Sequence, residues 1–248
     1  MIVRRPGKCC RWVVRGLLLV GLTVGTAWAQ YPSGPQISKD GTRVLLQDYA
    51  SLPLSSRTPG SYPPSINFAD QLARVNFLRS EPANAPQSSS RFFVNDLNRN
   101  LYILDKTSKA FTPYINFEEV FPKFDNSIGL ARGLVTFAFD PDYAENGKFY
   151  TVHTEDPSKS GSAAPTNSTL PGLDLSGYPT TAADNPPVGG AAREAVLVEW
   201  VDTDHDNSTF EGTAREILRV GFTTNIHPTG DLLFNPSARP GDADYGNL

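Results

Sequence analysis

The chain has 248 residues, 39% of them hydrophobic and 19% charged, with 26 acidic side chains against 22 basic ones and a net charge of −4. An acidic balance argues against nucleic acid or an anionic membrane surface as partner. Two cysteines, Cys9 and Cys10, are too few and too close to the start to give a disulfide framework or a thiolate metal site, so the fold must rest on an apolar core, which a chain of this length can supply.

Residues 1–29 read as an export signal. Arg4, Arg5, Lys8, Arg11 and Arg15 form a basic start, and Gly16 to Ala29 is an uncharged run of 14 residues. That is shorter than the roughly 20 residues of a membrane span. Ala27-Trp28-Ala29 is a small-residue cleavage site, which puts the mature start at Gln30. Arg4-Arg5 is followed by Pro6-Gly7-Lys8 and not by apolar residues, which favours ordinary secretion over a twin-arginine route. The expectation is a periplasmic or secreted protein with no membrane span once the signal is removed. Both cysteines and five of the 22 basic residues leave with it, so 17 basic residues remain against 26 acidic, a net of about −9.

Residues 30–72 read as an extended arm rich in Pro, Ser and Gly, with four prolines between Leu52 and Pro64. From Ala73 to Leu78, Val75 and Phe77 alternate with Arg74 and Asn76, which predicts a strand. Glu81 to Ser90 is a polar loop. Arg91–Asp96, Leu101–Leu104 and Phe111–Tyr114 then read as a three-strand meander.

The stretch Gly129 to Thr154 is the most informative. Leu134, Val135, Phe137, Ala138 and Phe139 form one apolar run and Phe149, Tyr150 and Val152 a second, both rich in β-branched and aromatic types. Asp140-Pro141-Asp142 and Glu145-Asn146-Gly147 between them are turn chemistry, so the stretch predicts a hairpin. Phe139-Asp140-Pro141 followed by Asn146-Gly147-Lys148-Phe149-Tyr150 has a counterpart in Phe234-Asn235-Pro236 followed by Asp244-Tyr245-Gly246-Asn247-Leu248. Asn98-Arg99-Asn100-Leu101-Tyr102-Ile103 matches its second half. A repeated hairpin in an all-β chain suggests a propeller, with blades of roughly 40–50 residues; a sandwich with similar turns is the alternative.

Residues 155–193 read as a flexible insert of Gly, Pro, Ser, Thr and Ala with little to bury, containing the glycosylation sequon Asn167-Ser168-Thr169; a second, Asn207-Ser208-Thr209, follows later. Ala195 to Val201 is a strong strand. Asp202-Thr203-Asp204-His205-Asp206-Asn207 has the alternating acids of a calcium loop, but Asn207 stands where that loop needs glycine and Thr213 where it needs a bidentate Glu, so a hairpin tip is the better reading. Of the three histidines, His153 reads as structural, His205 as part of the acidic turn, and His227 as a loop residue feeding a strand, where sites are commonly built.

The run from Gly133, GLVTFAFDPDYAENGKFYTVHT, resembles the first-blade signature of the glucose/sorbosone dehydrogenase family, usually worded GLLGLAFHPDF followed by a turn and a strand. The resemblance is specific over about 20 residues and looser from about residue 73 onward. It implies a six-bladed β-propeller, of which residues 73–248 would supply about two and a half blades, so that the chain would be the N-terminal portion of a longer protein. It also implies pyrroloquinoline quinone (PQQ) and calcium as cofactors, a small sugar as substrate and an external electron acceptor. In that family a histidine opening an H-x-x-G-x-L run takes the sugar hydroxyl proton; here the run is His227-Pro228-Thr229-Gly230-Asp231-Leu232. Histidine suits such a base because its unperturbed pKa lies near working pH. The family's acid before that histidine is replaced by Ile226, its quinone-touching glutamine falls on Ala131, and Arg132 beside it becomes the candidate cofactor contact. Asp140 stands where the family commonly has the histidine of an H-P-D turn. The calcium ligands would lie beyond Leu248. Fold alone does not fix function, so the alternative to the dehydrogenase is a non-catalytic extracellular binding propeller. A lactonase-like hydrolase is disfavoured, since the sequence has no paired His/Asp metal constellation.

Overall fold

The computed structural model describes residues 38–39, 42–43, 45–55, 73–126, 131–180, 190–224 and 229–248. The chain divides into two units, residues 1–48 and 49–248. In the first unit, β1 (Ser38–Lys39) and β2 (Thr42–Arg43) form a two-residue antiparallel pair. The expected signal segment lies outside the described residues, as do residues 56–72 of the arm.

Among its described residues the second unit is all-β apart from two single-turn helices, and its two sheets are curled, one of them into a half-barrel. The first sheet is an antiparallel meander of β3 (Val75–Arg79), β4 (Arg91–Asp96), β5 (Asn100–Asp105) and β6 (Phe111–Asn116), in chain order. Its period-2 pattern buries both faces. Phe93, Leu101 and Ile103 face the main core, while Phe92, Val94, Tyr102 and Leu104 face the other way and are covered by Ala50 and Leu52 from the chain before the sheet. Pro113 sits on the outer strand β6, where it donates no ladder bond to a further chain.

After α1 (Phe117–Val120), the second sheet takes β7 (Leu134–Phe139), β8 (Lys148–Glu155), β10 (Arg193–Asp202) and β11 (Gly212–Phe222) in antiparallel order, and adds the short β9 (Leu173–Asp174) parallel to the start of β11. The expected hairpin is β7–β8. Its turn holds the helical turn α2 (Tyr143–Asn146), closed by Gly147 at φ +62°, where a Cβ would lie 1.9 Å from the carbonyl oxygen of Asp202. Glycine is required there by backbone conformation and by space.

One core joins the two sheets. Trp200 is fully buried, stacks on Phe149 at 5.9 Å, and donates its indole N–H to Thr151 Oγ1 at 2.9 Å. Phe93 meets Tyr114 and Phe139 edge-on at 5.3 and 5.0 Å, the geometry aromatic pairs prefer. The joint also has a polar part: Asn95 donates to the carbonyls of Leu134 and Val135, and Asn76 also reaches that of Val135, so side-chain amides from the first sheet satisfy the open edge of β7.

The insert differs from the sequence expectation. Glu155 completes β8 and is buried, Leu173 is buried in the core, and Leu170, Leu175 and Tyr178 pack against it. Composition hides this, because single leucines spaced along a Pro/Gly background each reach the core while the average over the stretch stays polar. Residues 181–189 lie outside the described residues.

Candidate functional site

Arg132 lies just before β7, at the end of the second sheet where β8 finishes and β10 begins. The chain turns tightly there: Ala131 has φ +60°, and Gly133 at φ +116° leaves no room for a Cβ, which would fall 1.6 Å from the carbonyl oxygen of Leu97. A left-handed non-glycine residue costs about 1–2 kcal/mol. The turn is fixed by Thr154, whose hydroxyl accepts from the Gly133 N–H at 2.7 Å and donates to the Asp125 carbonyl at 2.7 Å.

The Arg132 side chain points inward. It is buried, and its Nη1 donates to Asp125 Oδ2 at 3.0 Å. The same oxygen accepts from Arg193 Nε at 2.5 Å, and Arg193 also reaches Asp156 at 3.3 Å. The Arg132 carbonyl accepts from Arg74 at 3.1 Å. The side chain that the resemblance offers as a quinone contact is thus buried and engaged with Asp125. No group of three or more His, Cys, Asp or Glu among the described residues is arranged to hold a metal ion, and no helix among them is long and apolar enough to cross a membrane.

A second charged cluster lies on the core face of the same sheet end. Arg219 donates to Glu155 and Glu194 at 2.7 Å each and to both oxygens of Glu216 at 3.0 and 2.8 Å. His153 is fully buried with Nε2 3.2 Å from Glu155, and its ring centroid is 4.1 Å from that of Phe121. The structural reading of His153 agrees with this packing. Burial alone would raise the Glu155 carboxyl; hydrogen bonds and charge from His153 and Arg219 overcome it and hold the pKa below the usual carboxylate value. The Tyr178 phenol, packed beside them, is pushed up by burial and by Glu216 and Glu155.

These directions predict acid sensitivity. A carboxyl whose folded pKa is depressed contributes stability that is present above its unfolded value, about 4.5, and is lost as pH falls through the folded pKa. Urea midpoints measured between pH 7 and pH 3 should fall on the acid side. Glu155→Gln should flatten part of that fall; an unchanged slope in the variant would show that Glu155 does not carry it.

His227 lies outside the described residues, with Asn225, Ile226 and Pro228. The rest of its run is described. Asp231 accepts through Oδ1 from Thr136 Oγ1 at 2.6 Å, from its following N–H on Leu232 at 2.8 Å, and from the Arg79 guanidinium. Arg79 ends β3 and lies over the rings of Phe77 and Phe137 at 4.6 and 5.5 Å, so it is held from below by cation–π contact. Asp231 therefore ties this segment to β3 and to β7. Leu232 continues onto the outer face of the second sheet with Val135, Val152 and Ala195, and Phe234 packs on Tyr150 at 5.6 Å.

Sequence reasoning missed Asp231, Arg79 and the Arg219 cluster. Three turns of one kind also converge: Ser80-Glu81-Pro82 after β3, Phe139-Asp140-Pro141 after β7, and Phe234-Asn235-Pro236. Residues from all three line one cavity of about 450 Å³. The first turn escaped notice because Ser80 replaces the phenylalanine of the other two. The acidic turn Asp202–Asn207 is closed by its own groups: Asp202 is buried and accepts from the Tyr114 hydroxyl and the Asp204 N–H, and the carbonyls of His205 and Asn207 accept from Arg91.

No protein-family model matches the chain, and no curated protein matches it.

Proposed function

We propose that the chain belongs to an exported β-propeller that oxidises a sugar or related alcohol, with His227 as the base that removes the hydroxyl proton. The carrying observation is the attachment of the His227-Pro228-Thr229-Gly230-Asp231-Leu232 run: Asp231 bonds to Arg79 and Thr136, on the first strands of the four-stranded and the five-stranded sheet. Those strands, β3 and β7, also touch each other, as the innermost strands of neighbouring blades do. The three convergent Glu/Asp/Asn-Pro turns support radial repetition in the same way. In this reading PQQ would supply the hydride acceptor and calcium would hold the quinone; the Nη1 of Arg132 is engaged with Asp125.

That commitment of Arg132 favours a second reading, a binding propeller without chemistry. A titration of the full protein with PQQ and calcium, followed by quinone absorbance and by sugar-dependent reduction of a dye acceptor, separates the two. Stoichiometric PQQ binding with sugar-dependent turnover supports the dehydrogenase; sugar binding without PQQ binding supports the binding propeller.

A further inference from the structure

The cavity among the three proline turns lies at the end of β7 remote from Arg132, about 20 Å along a six-residue strand. Its walls are mostly flat and apolar: Phe139, Phe234, Pro82, Pro141 and Pro236. Two charged residues reach it, and each is already neutralised. Arg79 is paired with Asp231, and Glu81 is fully buried against Arg91, its oxygens 2.6 and 2.9 Å from the guanidinium. An ionic ligand would meet charges already engaged by partners of opposite sign. A sugar would bring several hydroxyls to walls that offer few partners, and each buried unpaired hydroxyl costs about 1–3 kcal/mol. The volume of about 450 Å³ falls in the ~300–1,000 Å³ range of small-molecule pockets, and a cavity of about 150 Å³ already holds benzene. Ser80 is an exposed residue of the lining.

We infer that this cavity binds a neutral, flat molecule of one or two aromatic rings, with a hydroxyl or amide group turned to Ser80. The inference does not depend on the sugar chemistry proposed above. The rings lie against the phenylalanine and proline walls, and the polar group stays at the mouth.

The test uses the whole chain and 2-naphthol as probe, followed by its fluorescence, with 2-naphthoate as an anion of the same shape. 2-Naphthol is expected to saturate one site below about 1 mM, and 2-naphthoate to bind at least about tenfold more weakly. Ala238→Trp, which fills the cavity from a surface turn, should weaken 2-naphthol at least about tenfold. Ser80→Ala should weaken it about three- to tenfold, the worth of one hydrogen bond, with thermal unfolding unchanged. Absence of saturation, equal binding of phenol and carboxylate, or full affinity in both variants would each overturn the inference; the last would place the probe elsewhere on the surface.

Discussion

His227→Gln in the full protein should slow sugar oxidation by ~10²–10⁴-fold, the usual worth of a general base, or about 3–5 kcal/mol of barrier. Glutamine keeps the length and hydrogen-bonding ability of the side chain but takes no proton near neutral pH. The fold should survive, because Asp231 makes the contacts that hold this run to Arg79 and Thr136. A suitable control is Arg215→Met, on a side chain 58% exposed, which should leave turnover within a few-fold of wild type. The pH dependence adds a second readout: a base titrating near neutrality gives a rate that rises with pH and levels off, and the Gln variant should lack that limb. Wild-type turnover in His227→Gln would refute the assignment of the base.

The largest effect on stability is expected from Arg219→Met. Arg219 is the guanidinium at the centre of Glu155, Glu194 and Glu216, with its side chain 4% exposed. Methionine fills much of the same volume but leaves these carboxylates without that positive charge, in a place where water cannot replace it. Removing one partner of a buried ion pair costs about 3–5 kcal/mol, which for a unit of this size lowers Tm by roughly 6–20 °C. Arg215→Met removes a pair of similar distance, 2.9 Å to Glu199, with the guanidinium 58% exposed although the carboxylate is 9% exposed, so water can take part of the guanidinium's place and the loss should be smaller. The contrast separates burial from charge count. Equal losses in the two variants would mean that the Arg219 cluster is no more desolvated than the Arg215–Glu199 pair.

The strands were legible because their patterns are strong. Phe92 to Val94 and Leu101 to Leu104 alternate between two buried faces, and Asp140 to Gly147 carries unambiguous turn chemistry. The Arg219 cluster was not legible. Glu216 and Arg219 share a face three residues apart only because a bulge opposite Leu197 and Val198 shifts the register of β11, and strict alternation puts them on opposite faces. Arg132 was placed by position in a resembling motif, which gives the backbone site but not the direction of the side chain; Asp125 decides that direction. In the insert, the burial of Leu173 is not legible from a composition averaged over residues 155–193.

The Arg79–Asp231 latch sets a clock for the newborn protein. Its partners are 152 residues apart in the chain, and synthesis proceeds at about 5–20 residues per second. Arg79 therefore waits roughly 8–30 s after it is made before Asp231 exists. Arg91 waits in the same way for Asn207, 116 residues later. Through that interval the first meander must stand without the sheet that shares its core, with Phe93, Leu101 and Ile103 facing solvent. Contacts so distant in sequence slow folding, which gives a holding chaperone a period in which to keep the chain apart from its neighbours.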